Sequence, residues 1–208
     1  LARNAHLVPA HITGIAGSGV RVLRCDELAA IVSTVDRTPA RAIDDIRAHD
    51  HALQSVVNHG ATAAAGRFGQ TFAGDADARS HVIEHGERVA RLLAERDGCV
   101  EMRLLLPGST QRPAPGPRNE SVGPGRAYLE RIRADRDALD RLALRDALGP
   151  MIRGERVEQL PNDRGIAFSH LIERSREPEY RAAIGALPAL GEGMIVGPLA
   201  LHAFAEPR

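Results

Sequence analysis

Residues 107–124, PGSTQRPAPGPRNESVGP, constrain the fold more than any other stretch of the chain. They hold five of its 13 prolines and present no apolar face at helical or strand spacing. Proline removes a backbone donor, and proline with glycine breaks both helix and strand, so such a run reads as a linker. It leaves one domain at residues 1–106 and another at 125–208, each close to the usual small-domain size.

Composition says what those domains are not. Of 208 residues, 43% are hydrophobic and 26% charged, the balance of a globular chain rather than a disordered one. Basic and acidic side chains number 27 each, so no net positive field is available for nucleic acid or an anionic membrane surface. All the cations are arginine, which removes Schiff-base chemistry and the phosphate-binding lysine of a P-loop. No apolar run approaches the ~20 residues that cross a bilayer. Leu1 to Pro9 carry no signal-peptide core, and Cys25 and Cys99 lie in no metal-ligand spacing. They read as reduced, buried thiols of a soluble, cytoplasmic protein.

Within residues 1–106, Val20–Leu23 and Leu28–Val32 flank the polar Arg24-Cys25-Asp26-Glu27 and read as a hairpin. Thr38-Pro39 reads as a cap followed by a first-turn proline. Ile43, Ile46, Leu53, Val56 and Val57 then recur at helical spacing up to Gly60. Ala61–Phe72 reads as a strand leading into a turn. One amphipathic helix is expected over 77–96 with Val82, Val89 and Leu93 inward, and a strand over 99–106. In residues 125–208 the pattern is a helix over 125–148 with Tyr128, Ile132, Leu139 and Leu142 on one face. Strands over 157–160 and 165–173 follow, then a helix over 175–190 with Tyr180, Ile184 and Leu187 inward. A last strand over 194–204 is interrupted by Gly197-Pro198. Both halves are thus α+β, with helices packed on antiparallel sheet.

Three clusters carry chemistry worth weighing. His81-Val82-Ile83-Glu84-His85 fits the H-x-x-E-H pattern, in which two histidines one turn apart bind zinc and a glutamate acts as base. At 100° per residue the histidines fall about 40° apart, on the seam between apolar and charged faces, while Glu84 leans toward solvent. An ordinary surface pair is the stronger reading. His49-Asp50-His51 offers no third metal ligand and reads as a His49–Asp50 pair at the buried edge of a helix, with Arg67 as partner of Asp50. Gly14-Ile15-Ala16-Gly17-Ser18-Gly19 has its glycines in the wrong order for a dinucleotide fingerprint and reads as a loop. No catalytic, cofactor-binding or metal-binding residue is assigned, and no cofactor.

Set in order, these segments resemble the gas vesicle synthesis proteins of the GvpF/GvpL family over nearly the whole chain. Val20-Arg21-Val22-Leu23 with Asp26–Ser33 is similar to the family's opening hairpin. His49-Asp50, then Arg67-Phe68-Gly69 and Thr71-Phe72, resemble its first helix and R-F-G-T strand end. Val100-Glu101-Met102 fits the strand after the second helix, and Gly125-Arg126-Ala127-Tyr128-Leu129 the G-x-x-Y-L helix entry. Gly197-Pro198 and Phe204 stand in its closing segment, where Leu199, Ala200, Leu201 and His202 replace Trp-Pro-Pro-Tyr. The resemblance implies a ferredoxin-like N-terminal domain and a related α+β C-terminal sandwich. It implies a minor vesicle component, not an enzyme, that binds the hydrophobic shell protein GvpA and limits its aggregation, with other gas vesicle accessory proteins as further partners. Two other readings stay open: a small zinc-dependent hydrolase using His81, Glu84 and His85, and a ferredoxin-like ligand-binding regulatory module.

Overall fold

The computed structural model describes residues 1–3, 8–9, 11–36, 38, 42–107, 143–161, 165–187 and 193–204. Strands β1 (Val20–Cys25) and β2 (Leu28–Ser33) form a two-stranded antiparallel sheet. Their register runs from Val20↔Ser33 to Cys25↔Leu28, leaving Asp26 and Glu27 as the turn. Asp26 takes a φ of 51°, the left-handed region that two-residue hairpin turns demand and that Asp tolerates better than most side chains.

Helix α1 spans Ile43–Asn58. It begins later than Thr38-Pro39 suggests: Ala42 is the extended cap residue, and Asp44 and Asp45 in the first turn supply the charge that favours a helix N-terminus. Ile43 is consequently exposed at the helix start rather than inward, whereas Val56 and Val57 are buried. Ala61–Phe72 forms no named strand. Its first residues are nevertheless held in extended pairing, through an Ala2↔Ala63 bridge and the Leu201 N–H on the Ala63 carbonyl.

The single helix expected over 77–96 is two, α2 (Asp75–His85) and α3 (Glu87–Glu95), divided at Gly86. A Cβ on Gly86 would lie 2.1 Å from the Val82 carbonyl oxygen and 3.0 Å from Leu28 Cδ1. The Val82 carbonyl, one turn back on α2, leaves no room for a side chain, so the position requires glycine. Val82 and Leu93 are buried as expected.

Strands β3 (Cys99–Pro107), β4 (Ile152–Gln159), β5 (Gly165–Glu173) and β6 (Met194–Leu199) form a second sheet in the order β4-β5-β3-β6. Residues 143–148 are helical, and α4 covers Glu177–Gly185 with Tyr180 and Ile184 buried. Strand β4 starts before the expected Val157. Strand β6 runs through Gly197-Pro198, whose peptide is cis, and ends at Leu199 instead of reaching Phe204. Tyr128, Ile132, Leu139, Leu142 and residues 108–124 lie outside the described residues.

The chain forms two compact units. Unit 1 gathers Leu1–Met102, Leu171–Ser175 and Gly197–Arg208, and unit 2 gathers Arg103–His170 and Arg176–Val196. Unit 1 has a core of Leu23, Leu28, Val82, Leu93, Leu201 and Phe204, with Cys25 and Cys99 buried among them. Unit 2 buries Leu144, Leu148, Met151, Phe168, Tyr180 and Ile184.

Candidate functional site

Unit 2 contains a buried polar chain that sequence reasoning did not find. His170, fully buried on β5, has its Nδ1 2.7 Å from the Tyr180 hydroxyl on α4. Its Nε2 lies 3.5 Å from Glu155 Oε2 on β4, close enough for charge to be felt but without a well-formed hydrogen bond. Arg145 donates to Glu155 Oε1 at 3.2 Å. The carboxylate beside Nε2 favours a proton there, so Nδ1 is the acceptor and the phenol donates.

Burial pushes the His170 imidazole below its ordinary range, opposed by the Glu155 charge. Burial likewise raises the Tyr180 phenol far above its usual value. Both groups therefore hold their neutral forms. The arrangement fastens α4 and β4 to β5. Its sequence signal was a histidine within the mostly apolar run Gly165–Ile172, with a tyrosine already read as inward on the helix that follows.

The H-x-x-E-H cluster sits on α2. The rings of His81 and His85 stand 4.7 Å apart, edge to face, and His81 also packs against Phe72 at 5.1 Å. His81 Nε2 lies 2.9 Å from the Gln70 amide nitrogen, while Glu84 and His85 are exposed and 3.7 Å apart. Among the described residues no three His, Cys, Asp or Glu side chains form a metal-binding group. Nothing here brings the third ligand that zinc hydrolysis requires.

His49 stands edge-on to Phe68 at 5.6 Å, and burial lowers its imidazole pKa against the pull of Asp50. Asp50, however, is exposed, as are His51 and Arg67, and no ion pair joins Asp50 to Arg67 among the described residues. The expected buried pair is corrected: only His49 turns toward the interior, because Asp50 falls 100° further round the helix. Gly14–Gly19 is a closed turn, with Gly14 N–H bonded to the Ser18 carbonyl at 2.7 Å and a Thr13↔Gly19 bridge.

The C-terminal segment is clasped into unit 1. Leu201 and Phe204 are buried, and the Glu101 carboxylate accepts from Ala203 N–H at 2.7 Å. Arg96 donates to the Phe204 carbonyl and lies 5.8 Å over its ring. Leu201 and Phe204 are thus the large side chains of the closing segment that fill this core, whereas Leu199 is half-buried and His202 exposed, the two residues that stand in place of the family pattern's Trp and Tyr.

No helix among the described residues is long and apolar enough to cross a membrane. The chain is similar to two solved structures of GvpF. That from Microcystis aeruginosa shares 16% identity with a TM-score of 0.72, covering 94% of this chain and 92% of the other. That from Anabaena sp. shares 12% identity with a TM-score of 0.76, covering 96% and 90%. At such identities the likeness establishes a mixed helix-and-sheet fold. No curated protein sequence matches the chain. The profile of the family described as gas vesicle synthesis protein GvpL/GvpF matches residues 2–206, practically the whole length, and the chain belongs to that family.

Proposed function

We propose that the chain is an accessory factor in gas vesicle assembly, a minor vesicle component of the cytoplasm that binds the hydrophobic shell protein GvpA and limits its aggregation during nucleation or growth. The family match over residues 2–206 carries this reading. The surface supports it: Ile43, Phe72, Ile83, Val157 and Met194 are large apolar side chains left exposed. Capture of a strongly apolar client draws on such area, at roughly 25 cal/mol per Å² before the costs of association. With few aromatic side chains to anchor it, the contact relies on aliphatic groups and strand pairing. The test is co-expression with GvpA: its soluble fraction should rise above that obtained with an unrelated α+β domain, and equal aggregation with either would remove the assembly role.

The domain division belongs to the same proposal, with one amendment. A ferredoxin-like domain at 1–106 and an α+β domain at 125–208 flank the 107–124 linker. Residues 171–175 and 197–204, however, pack into the unit of the N-terminal half.

A further inference from the structure

The second sheet ends in two edges, β6 and β4, and they are built differently. Edge strands invite pairing with another strand unless something blunts them. On β6, Pro198 has no N–H to offer and its carbonyl already accepts from Gln54 of α1. Gly197 is pressed against its neighbour, leaving only 2.9 Å between a would-be Cβ and Met102 Sδ. Strand β4 has no proline, and among the described residues β5 is its one strand neighbour. It also carries Val157 at 52% exposure, an apolar β-branched side chain on that edge.

The direction of the backbone groups follows from the hairpin. Leu160 N–H bonds the Gly165 carbonyl at 2.8 Å, so it faces β5. N–H and C=O groups alternate sides along a strand, which turns those of Gln159, Val157 and Glu155 outward. A second copy of β4 could meet them antiparallel. Two-fold symmetry about an axis normal to the sheet keeps each face on its own side, so only residues of equal parity can lie opposite each other. Centring on Glu155 or Arg156 sets like charges face to face. Centring on Val157 does the opposite. Val157 meets the partner's Val157, Arg156 meets the partner's Glu158, Glu158 meets the partner's Arg156, and Glu155 meets the partner's Gln159. In that register every outward backbone group of Glu155, Val157 and Gln159 finds its complement.

We propose that β4 is a self-pairing edge, joining two copies of the chain antiparallel about Val157 with Arg156 and Glu158 as reciprocal charge pairs. The contact is one strand wide, so the dimer is a concentration-dependent equilibrium rather than a permanent assembly. It goes beyond the client-binding reading and stands whether or not GvpA is the client.

The experiment is sedimentation of the purified full chain over roughly a hundredfold range of concentration, a range that a weak interface requires. Wild type should pass from monomer to dimer. Arg156→Glu and Glu158→Arg each replace two opposite-charge pairs by two like-charge pairs and should weaken association by roughly tenfold or more. An equal mixture of the two single variants restores both pairs and should dimerise, as should the double variant R156E/E158R. Far-UV circular dichroism confirms that each variant is folded. A wild-type chain that stays monomeric overturns the proposal, as do single variants that dimerise like wild type or a mixture that does not. A monomeric wild type whose capture of GvpA fails in both single variants would assign the edge to the client instead, and would equally end the self-pairing account.

Discussion

Replacing Leu201 by alanine should open the core of the unit that contains the N-terminal hairpin, although position 201 lies at the far end of the sequence. Leu201 is 1% exposed and packs in one cluster with Leu23, Leu28, Val82 and Leu93. A leucine-to-alanine change at so closed a site costs ~3–5 kcal/mol, the transfer term plus the cavity left behind. At 1.4 kcal/mol per tenfold, a loss of ~3–5 kcal/mol raises the open population by roughly two to nearly four orders of magnitude. The protein supplies its own probes. Its two cysteines, Cys25 and Cys99, are both buried in this same cluster. Thiol labelling in native buffer, where reclosing outpaces reaction, reports the open fraction directly. The expected result is labelling of both cysteines faster by about a hundredfold or more in Leu201→Ala. Rates within about twofold of wild type, well inside what a surface change produces, would mean that residues 200–204 are no part of this core.

Three further outcomes follow from single sites. His170 is held neutral by burial, so its folded pKa lies below the unfolded value. The unfolded chain then takes up the proton first, and stability is complete above about pH 6.5 and lost as pH falls below it. The thermal midpoint should drop between pH 7 and pH 5, and the slope should flatten in His170→Gln; an unchanged slope would remove His170 as its source. Gly86→Ala should destabilise by ~1–3 kcal/mol in spite of alanine's better helix propensity, since the new methyl meets the Val82 carbonyl. A denaturation midpoint equal to or above wild type would refute the close approach. Limited proteolysis should cut first at Arg112 or Arg118, yet leave two fragments that co-migrate under native conditions, because residues 197–204 belong to the core of unit 1. Fragments that separate without denaturant would restore a division into independent halves.

The hairpin, β3 and β5 were legible because runs such as Val20–Leu23 and Gly165–Ile172 combine strand-forming side chains with clear turn residues at their ends. Helix α1 was legible in its body but not at its start, since Thr38-Pro39 offers a cap signal that the chain does not use. The break at Gly86 was hidden because a glycine within helical periodicity carries no mark of what its backbone will touch. The Val82 carbonyl makes the close contact there, and Leu28 adds a second from an element far away in sequence. The Tyr180–His170–Glu155 chain was invisible for the same reason: its members come from three elements and only folding brings them together. Residues 200–204 are apolar apart from His202 and read as a continuation of β6, yet Leu201 and Phe204 turn into the hairpin's core instead of extending that strand. The family resemblance survived all this, because it rests on the order of many weak segments rather than on any one site.

The central claim, that this chain assembles gas vesicles by holding the apolar shell protein, is tested most directly by co-purification with GvpA at two ionic strengths. Tagged protein should retain GvpA about equally at low and high salt, since burial of nonpolar area is barely screened while charge-steered contacts are. A matched unrelated α+β domain should retain none. No retention by either protein, or retention that vanishes as salt rises, would contradict the account.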